Sequence, residues 1–235
     1  MALNKAHTSI WVKTLIIILI VAFVSLFMYQ GFAGILQLFQ QNTTSSSGTT
    51  ADYVAALNQQ NQAILSALKA AQASNPTSYT AALSVANAYE DWAQQLQQPQ
   101  SGASQPTSAA LAASQTQWAA AAAAYEAATK LTKKFDPAAQ TDRSLAVLYG
   151  TNDATAAITI VKTVTETAPT FSQAWFNLGY YLELQQNTKA AVVPFQKFLS
   201  LNPSKEQSSS ISYAKQRLQE AGITAPGGSS TTTAP

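Results

Sequence analysis

Pro169 and Pro203 stand 34 residues apart and bracket the segment AP-TFSQAWFNLGYYLELQQNTKAAVVPFQKFLSLNP. That interval is the period of a helix–turn–helix unit that stacks on copies of itself. A single unit of this kind cannot bury its own apolar face, so it exists by docking against neighbours. The spacing therefore points to a binding surface and away from a catalytic pocket.

Inside the segment, Trp175, Leu178 and Gly179 are followed by Ala191, Phe195 and Pro203. In these positions the segment resembles a tetratricopeptide repeat, whose pattern is W-x2-L-G-x2-Y, then A-x3-F, then P. It departs at Leu182, where the family carries Tyr, and at Phe198, where a smaller residue is usual. Pro194 is a further departure, since a proline inside the second helix should kink it or shift its start. Gly179 and Ala191 are small where two antiparallel helices would cross, and Trp175, Leu178 and Phe195 fill the space around the crossing. Pro203 ends the second helix because it lacks an N–H and biases Asn202 away from helical geometry. A generic amphipathic helical hairpin is the alternative reading of the same residues.

The resemblance implies that the first helix of the unit faces a concave groove. Gln173, Phe176 and Tyr180 lie off the Trp175/Leu178 stripe and are the candidate groove residues. The competing assignment has Phe176 and Tyr180 packing against the preceding repeat or a capping helix. The basic clamp that some family members use on a partner's C-terminal carboxylate is not recognisable.

Asn75-Pro76, Asp136-Pro137 and Ala168-Pro169 close earlier apolar stretches in the same way as Asn202-Pro203. Before Pro169, Leu145, Ala146 and Tyr149 precede Ala157, Val161 and Val164, a degenerate copy whose inter-helix turn is one residue short. After Pro76, Ala82, Val85, Ala86 and Tyr89 copy the first-helix spacing, and Ala121, Tyr125 and Ala128 supply a second helix. Ile64, Leu68 and Ala71 read as the closing helix of a further unit. Helices are expected from near Ala51 to Asn75, and near 109–134, 138–150, 153–167, 171–186 and 188–200, with Asn152 or Asp153 as an N-cap. A last helix over 204–221, with Ile211, Ala214 and Leu218 inward, suits a cap with a polar outer face, and Gly222 suits the C′ position.

The fold class expected is all-α: antiparallel helix-hairpin repeats forming a tetratricopeptide-like solenoid, a C-terminal capping helix, and one N-terminal transmembrane helix. Apolar residues make up 47 per cent of the chain, much of it Ala, the strongest helix former, and no strand alternation interrupts it. Lys5 and Lys13 are matched by no acid before residue 50, and the other 11 basic residues balance the chain's 11 acids. A neutral domain gives no electrostatic reason to expect nucleic acid.

Chemistry is sparse. There is no Cys, and the one His is His7, so the usual general base, Zn ligands and Ser/His arrangements are missing beyond the N-terminal tip. Glu90 and Asp91 are adjacent and do not share a helix face, so they read as solvated rather than as half of a carboxylate site. Lys130, Lys133 and Lys134 suit either the negative end of a helix dipole or a phosphate or anionic-lipid contact. No catalytic, cofactor or metal residue is assigned, and the expectation is that the chain is not an enzyme.

Thr14 to Phe32 is almost continuously apolar, and as a helix of 1.5 Å rise it would span about 28 Å, close to a bilayer's hydrocarbon thickness. Trp11 and Tyr29 lie near its ends, and Lys5 and Lys13 place the N-terminus in the cytoplasm. A cleaved signal peptide is the alternative, with Phe32-Ala33-Gly34 as a poor site. The expected organisation is a cytoplasmic tip at 1–13, an anchor at 14–38, a flexible Ser/Thr linker at 39–50, a repeat domain at 51–221 with an exposed loop at 97–108, and a disordered tail at 222–235. The expected function is a protein–protein interaction module at the cell's inner (plasma) membrane, its C-terminal domain extracytoplasmic, serving as scaffold or accessory factor in protein assembly or secretion. A structural, self-associating envelope subunit is the alternative, which leaves a second copy of the chain open as a partner beside the membrane and other proteins.

Overall fold

Short polar side chains start most of the helices. In a computed structural model, which describes residues 50–99 and 103–223, Ser78 accepts from Ala81 N–H, Thr107 from Ala110, Asp136 from Ala138 and Ala139, Asp153 from Ala156, and Asn187 from Ala190. Each such cap contributes about 1 kcal/mol. The helices they introduce or follow are α1 (Thr50–Ser74), α2 (Tyr79–Leu96), α3 (Ser108–Thr129), α4 (Pro137–Thr151), α5 (Ala154–Thr167), α6 (Ser172–Leu184), α7 (Thr188–Ser200) and α8 (Ser208–Glu220), with a 3-10 turn at Lys205–Gln207. All regular structure among the described residues is helical, as the composition requires.

Helix ends are set by local chemistry. Asn152, Gln186 and Asn202 take left-handed backbone angles (φ 55°, 60° and 52°), and Gly222 does the same at φ 74°. After α8, Ile223 N–H bonds Leu218 C=O and Gly222 N–H bonds Gln219 C=O, the paired closure that a C′ glycine permits. Pro137 occupies the first turn of α4, where its missing N–H costs nothing.

Consecutive helices pack on each other along the chain, and α2 with α3, α4 with α5, and α6 with α7 form the hairpins. The turn between α4 and α5 is Asn152-Asp153, one residue shorter than Gln185–Asn187 between α6 and α7, as the spacing predicts. The first helices of successive units also meet. Gln173 bonds Gln207 and Glu183 bonds Arg217, each pair 34 residues apart, so α8 occupies the place of α6 one repeat later. The core is a series of small clusters along this stack, the alanine-rich ones between α2, α3 and α4, the aromatic one between α6, α7 and α8.

Several boundaries differ from the sequence expectation. α3 ends at Thr129 rather than 134, because Lys130 takes the C-cap and Leu131 N–H closes back onto Ala128. The last helix begins at Ser208, after the 3-10 turn, rather than at 204. α7 still starts at Thr188 with Pro194 buried in its interior, so the proline does not shift the helix start. Two glycines set close helix approaches. A Cβ on Gly179 would meet the Phe195 ring at 2.6 Å, and one on Gly150 would meet the Ala119 backbone nitrogen at 2.4 Å. Among the described residues no helix is long and apolar enough to cross a membrane. The expected tip at 1–13, anchor at 14–38, linker up to residue 49 and most of the 222–235 tail lie outside the described residues.

Candidate docking face

The first helices α2, α4, α6 and α8 line one side of the stack, and cross-helix hydrogen bonds tie them together. Between α2 and the start of α4, Tyr79 Oη donates to Asp136 at 2.7 Å. Beside α2, the Tyr125 hydroxyl of α3 donates to Glu90 at 2.5 Å and has the Asn87 amide at 2.9 Å. From α4 onward a continuous series runs Ser144 to Tyr181 (3.1 Å), Tyr181 to Asn177 (3.2 Å), Asn177 to Gln173 (2.8 Å) and Gln173 to Gln207 (2.6 Å). Neutral hydrogen bonds of this type contribute about 1 kcal/mol each, but they also hold the first helices in register.

At the C-terminal end the face turns aromatic. Phe176 and Tyr180 stack with centroids 6.4 Å apart, and the Tyr213 ring of α8 stands edge-on to both at 6.0 Å. Tyr213 donates to Glu183 at 2.7 Å, and Arg217 Nε reaches the other Glu183 oxygen at 2.7 Å while also pairing with Glu220. Burial, then the Glu183 carboxylate, pushes the Tyr213 phenol up to about 12.

The three residues singled out from the sequence are thus on one helix face, and each touches the cap. Gln173 meets it through Gln207, and Phe176 and Tyr180 meet it through Tyr213. All three stay half-buried. Of the repeat-defining residues, Leu178, Gly179, Ala191 and Phe195 are buried at the α6–α7 crossing, and Trp175 is half-buried, its Nε1 donating to Pro169 C=O at 2.9 Å. Pro203 lies half-buried in the connection to α8.

Asp142 was not legible as part of this face. It sits on α4, half-buried, close enough to Glu90 and Asp136 that both repel its charge. Burial is the larger cause, and together they push its carboxyl up to about 7. Glu90 is raised mainly by burial, with the Tyr125 hydrogen bond partly opposing. Among the described residues neither carboxylate pairs with Lys or Arg; the ion pairs there involve Glu126, Glu183 and Glu220. Glu90 is thus repelled by its neighbour Asp91, and its own charge in turn repels Asp142, 52 residues on.

The sign of the resulting pH dependence follows directly. In the native state Asp142 keeps its proton to about pH 7, whereas in the unfolded chain it loses it near the ordinary pKa of about 3.9. The stability it contributes is complete below about pH 4 and is lost as pH rises through about 7. Asp142→Asn is therefore expected to stabilise the chain by about 1–2 kcal/mol at pH 8, discounted for the water that still reaches the group, and to leave it unchanged at pH 4. Urea unfolding of wild type and variant at both pH values tests this; an equal effect at the two would refute the assignment.

No family model matches the chain, and no curated protein matches it. Among solved structures, a similar one is the crystal structure of YrrB, a TPR protein with an unusual peptide-binding site. It is 16 per cent identical, covers 77 per cent of this chain and 97 per cent of its own, and superposes with a TM-score of 0.38.

Proposed function

We propose that this chain is a membrane-anchored docking module that uses its first-helix face to hold a segment of another protein on the extracytoplasmic side of the plasma membrane. The observation that carries this reading is the half-buried Asp142, repelled by Glu90 and Asp136 and paired with no Lys or Arg among the described residues, on a face that also presents amides and phenols. A carboxylate pushed up by burial and by a second carboxylate gains from an incoming cation or N–H donor, which removes the repulsion and restores a hydrogen bond. The aromatic end at Phe176, Tyr180 and Tyr213 offers flat apolar contact to the same segment. An extended or helical segment rich in donors fits this chemistry.

The apolar run Thr14–Phe32, with Lys5 and Lys13 before it, supports anchoring with the N-terminus in the cytoplasm. Tethering raises the local concentration of the face for clients in the same envelope, which suits a scaffold or accessory factor in assembly or secretion.

The test is a photo-crosslinking amino acid placed in the full chain in its own cells, at Asn87 or Tyr149 on the first-helix face and at Lys162 on the outer side of α5. A client protein is expected to crosslink at Asn87 and Tyr149, to be lost when Asp142→Lys is added, and to be missing at Lys162. Equal yields on both sides, or yields indifferent to Asp142→Lys, would sink the face assignment. Protease reaching the repeat domain only from the cytoplasmic side would overturn the orientation.

A further inference from the structure

Lys130, Lys133 and Lys134 lie in the connection between α3 and α4, and the docking face uses none of them. Helix electrostatics account for Lys130 alone, which is the C-cap of α3 and pairs with Glu126 at 2.7 Å. Lys133 and Lys134 stand beyond Thr129, the last residue of α3, and just before α4. The negative end of a helix attracts cations only within its last turn, and the start of the next helix is a positive end that disfavours them. Neither helix therefore gains from these two lysines. Both are exposed, and among the described residues neither makes an ion pair.

They border a cavity of about 170 Å³ that is lined also by Thr129, Thr132, Asp136 and Gln140. At ~30 Å³ per water it has room for about five waters, enough to seat a phosphate group. Donors stand ready on its wall. Thr132 Oγ1 accepts from Lys134 N–H at 3.1 Å, which leaves the hydroxyl proton free to be donated. The Gln140 side chain is half-buried, and its amide makes no hydrogen bond among the described residues. Thr129 is no donor, because its hydroxyl is spent on Glu126 C=O. Asp136 is the carboxylate on this wall, and its oxygens already accept from Tyr79 and from Ala138 and Ala139 N–H.

Phe135 and Gln140 also wall an adjoining cavity of about 220 Å³, which Arg143, Thr159, Ile160 and Thr163 complete. Arg143 is 24 per cent exposed, bonds Glu126 through Nη2 at 3.2 Å, and buries Nε without a partner. A guanidinium so incompletely satisfied favours an acceptor close by. Thr159 and Thr163 spend their hydroxyl protons on the carbonyls of Thr155 and Thr159, so the rest of this cavity is walled chiefly by Phe135 and Ile160. Around the two cavities Lys130, Lys133, Lys134 and Arg143 outnumber Glu126 and Asp136.

We infer that the paired cavities bind a phosphate ester, its phosphate against Lys133, Lys134, Thr132 and Gln140 and its organic substituent toward Phe135 and Ile160. The phosphate accepts charge-assisted hydrogen bonds from two ammonium groups, an amide and a hydroxyl, which together outweigh the Asp136 charge. A soluble phosphomonoester and the head group of an anionic phospholipid present the same chemistry. The site belongs to the α3–α4 connection, so it stands whether or not the first-helix face takes a client.

Lysine acetylation of the full chain, read by mass spectrometry, tests this in two arms. One uses neutral detergent with and without glycerol 3-phosphate at constant ionic strength. The other uses vesicles of phosphatidylcholine alone or of phosphatidylcholine and phosphatidylglycerol in equal parts. Acetylation of Lys133 and Lys134 is expected to slow by at least about threefold at saturating ligand, with Lys162 and Lys215, two exposed lysines elsewhere, unchanged. Protection by glycerol 3-phosphate identifies a soluble ester, and protection by phosphatidylglycerol alone identifies a lipid head group. Protection in neither arm, or equal slowing at Lys162 and Lys215, would overturn the inference. Gln140→Glu should raise the half-protecting concentration about tenfold by setting a like charge against the phosphate. Gln140→Leu, which removes the donor and adds no charge, should raise it about fivefold. Half-protection unmoved by both variants, with helicity intact, would equally overturn it.

Discussion

Gly150→Ala is expected to destabilise the chain by about 2–3 kcal/mol, against the direction that helix propensity predicts. Gly150 lies in the last turn of α4, and within a helix Gly costs up to about 1 kcal/mol relative to Ala, so propensity alone would make the change neutral to favourable. The obstacle is the neighbouring helix. A Cβ at this position would stand 2.4 Å from Ala119 N, 2.6 Å from Ala119 Cα and 2.7 Å from the Trp118 carbonyl carbon. These are backbone atoms in the middle of α3, which no rotamer change can withdraw; α3 and α4 must move apart. Gly179→Ala meets the Phe195 ring instead, at 2.6–2.9 Å, and a ring can turn where a helix backbone cannot. The cost at Gly150 is therefore expected to exceed that at Gly179. Urea midpoints of the two variants check both claims, and a rise in stability for Gly150→Ala would remove the close crossing from the account.

The contrast shows what a sequence of this kind discloses. Gly179 was legible because Trp175, Leu178 and Gly179 stand in a recognisable spacing, and the α6–α7 crossing lies there. In the preceding unit the equivalent position is Ala146, which is fully buried, and the tight approach is made by Gly150 against a different neighbour, α3 of the unit before rather than the hairpin partner α5. Gly150 stands at the end of the expected 138–150 helix, where glycine is an ordinary terminator, so nothing local marked it as a close crossing. Asp142 carried no local signal either. Its role on the face depends on Glu90, 52 residues earlier, and on burial created when α2 and α4 come together, neither of which has a local pattern. The periodic prolines, caps and turn lengths were legible because each is a local requirement of the backbone.

Trp118→Ala is expected to be the most damaging single truncation, costing about 4–5 kcal/mol. Trp118 is 1 per cent exposed and sits among Ala86, Ala93, Ala121, Ala122, Ala139 and Ala146, with Tyr125 beside it. Alanines have no side chain to swing into the space, so the cavity would persist, and its cost grows with residual volume. The sequence gives no prominence to this residue, because α3 is apolar nearly all round (AALAASQTQWAAAAAAYEAAT) and shows no stripe to mark its inner side. Trp175, the residue that dominates the sequence pattern, is only half-buried and is held by one hydrogen bond to Pro169. Its replacement by Ala is expected to cost about 2 kcal/mol less than that of Trp118. Trp118→Phe should fall between wild type and Trp118→Ala, because the indole Nε1 is buried without a partner and its removal relieves an unmet hydrogen bond while the ring still fills most of the site. Unfolding midpoints followed by helicity rank the three variants, and a Trp175→Ala cost above that of Trp118→Ala would place the centre of stability at the signature repeat instead of in the alanine-rich cluster.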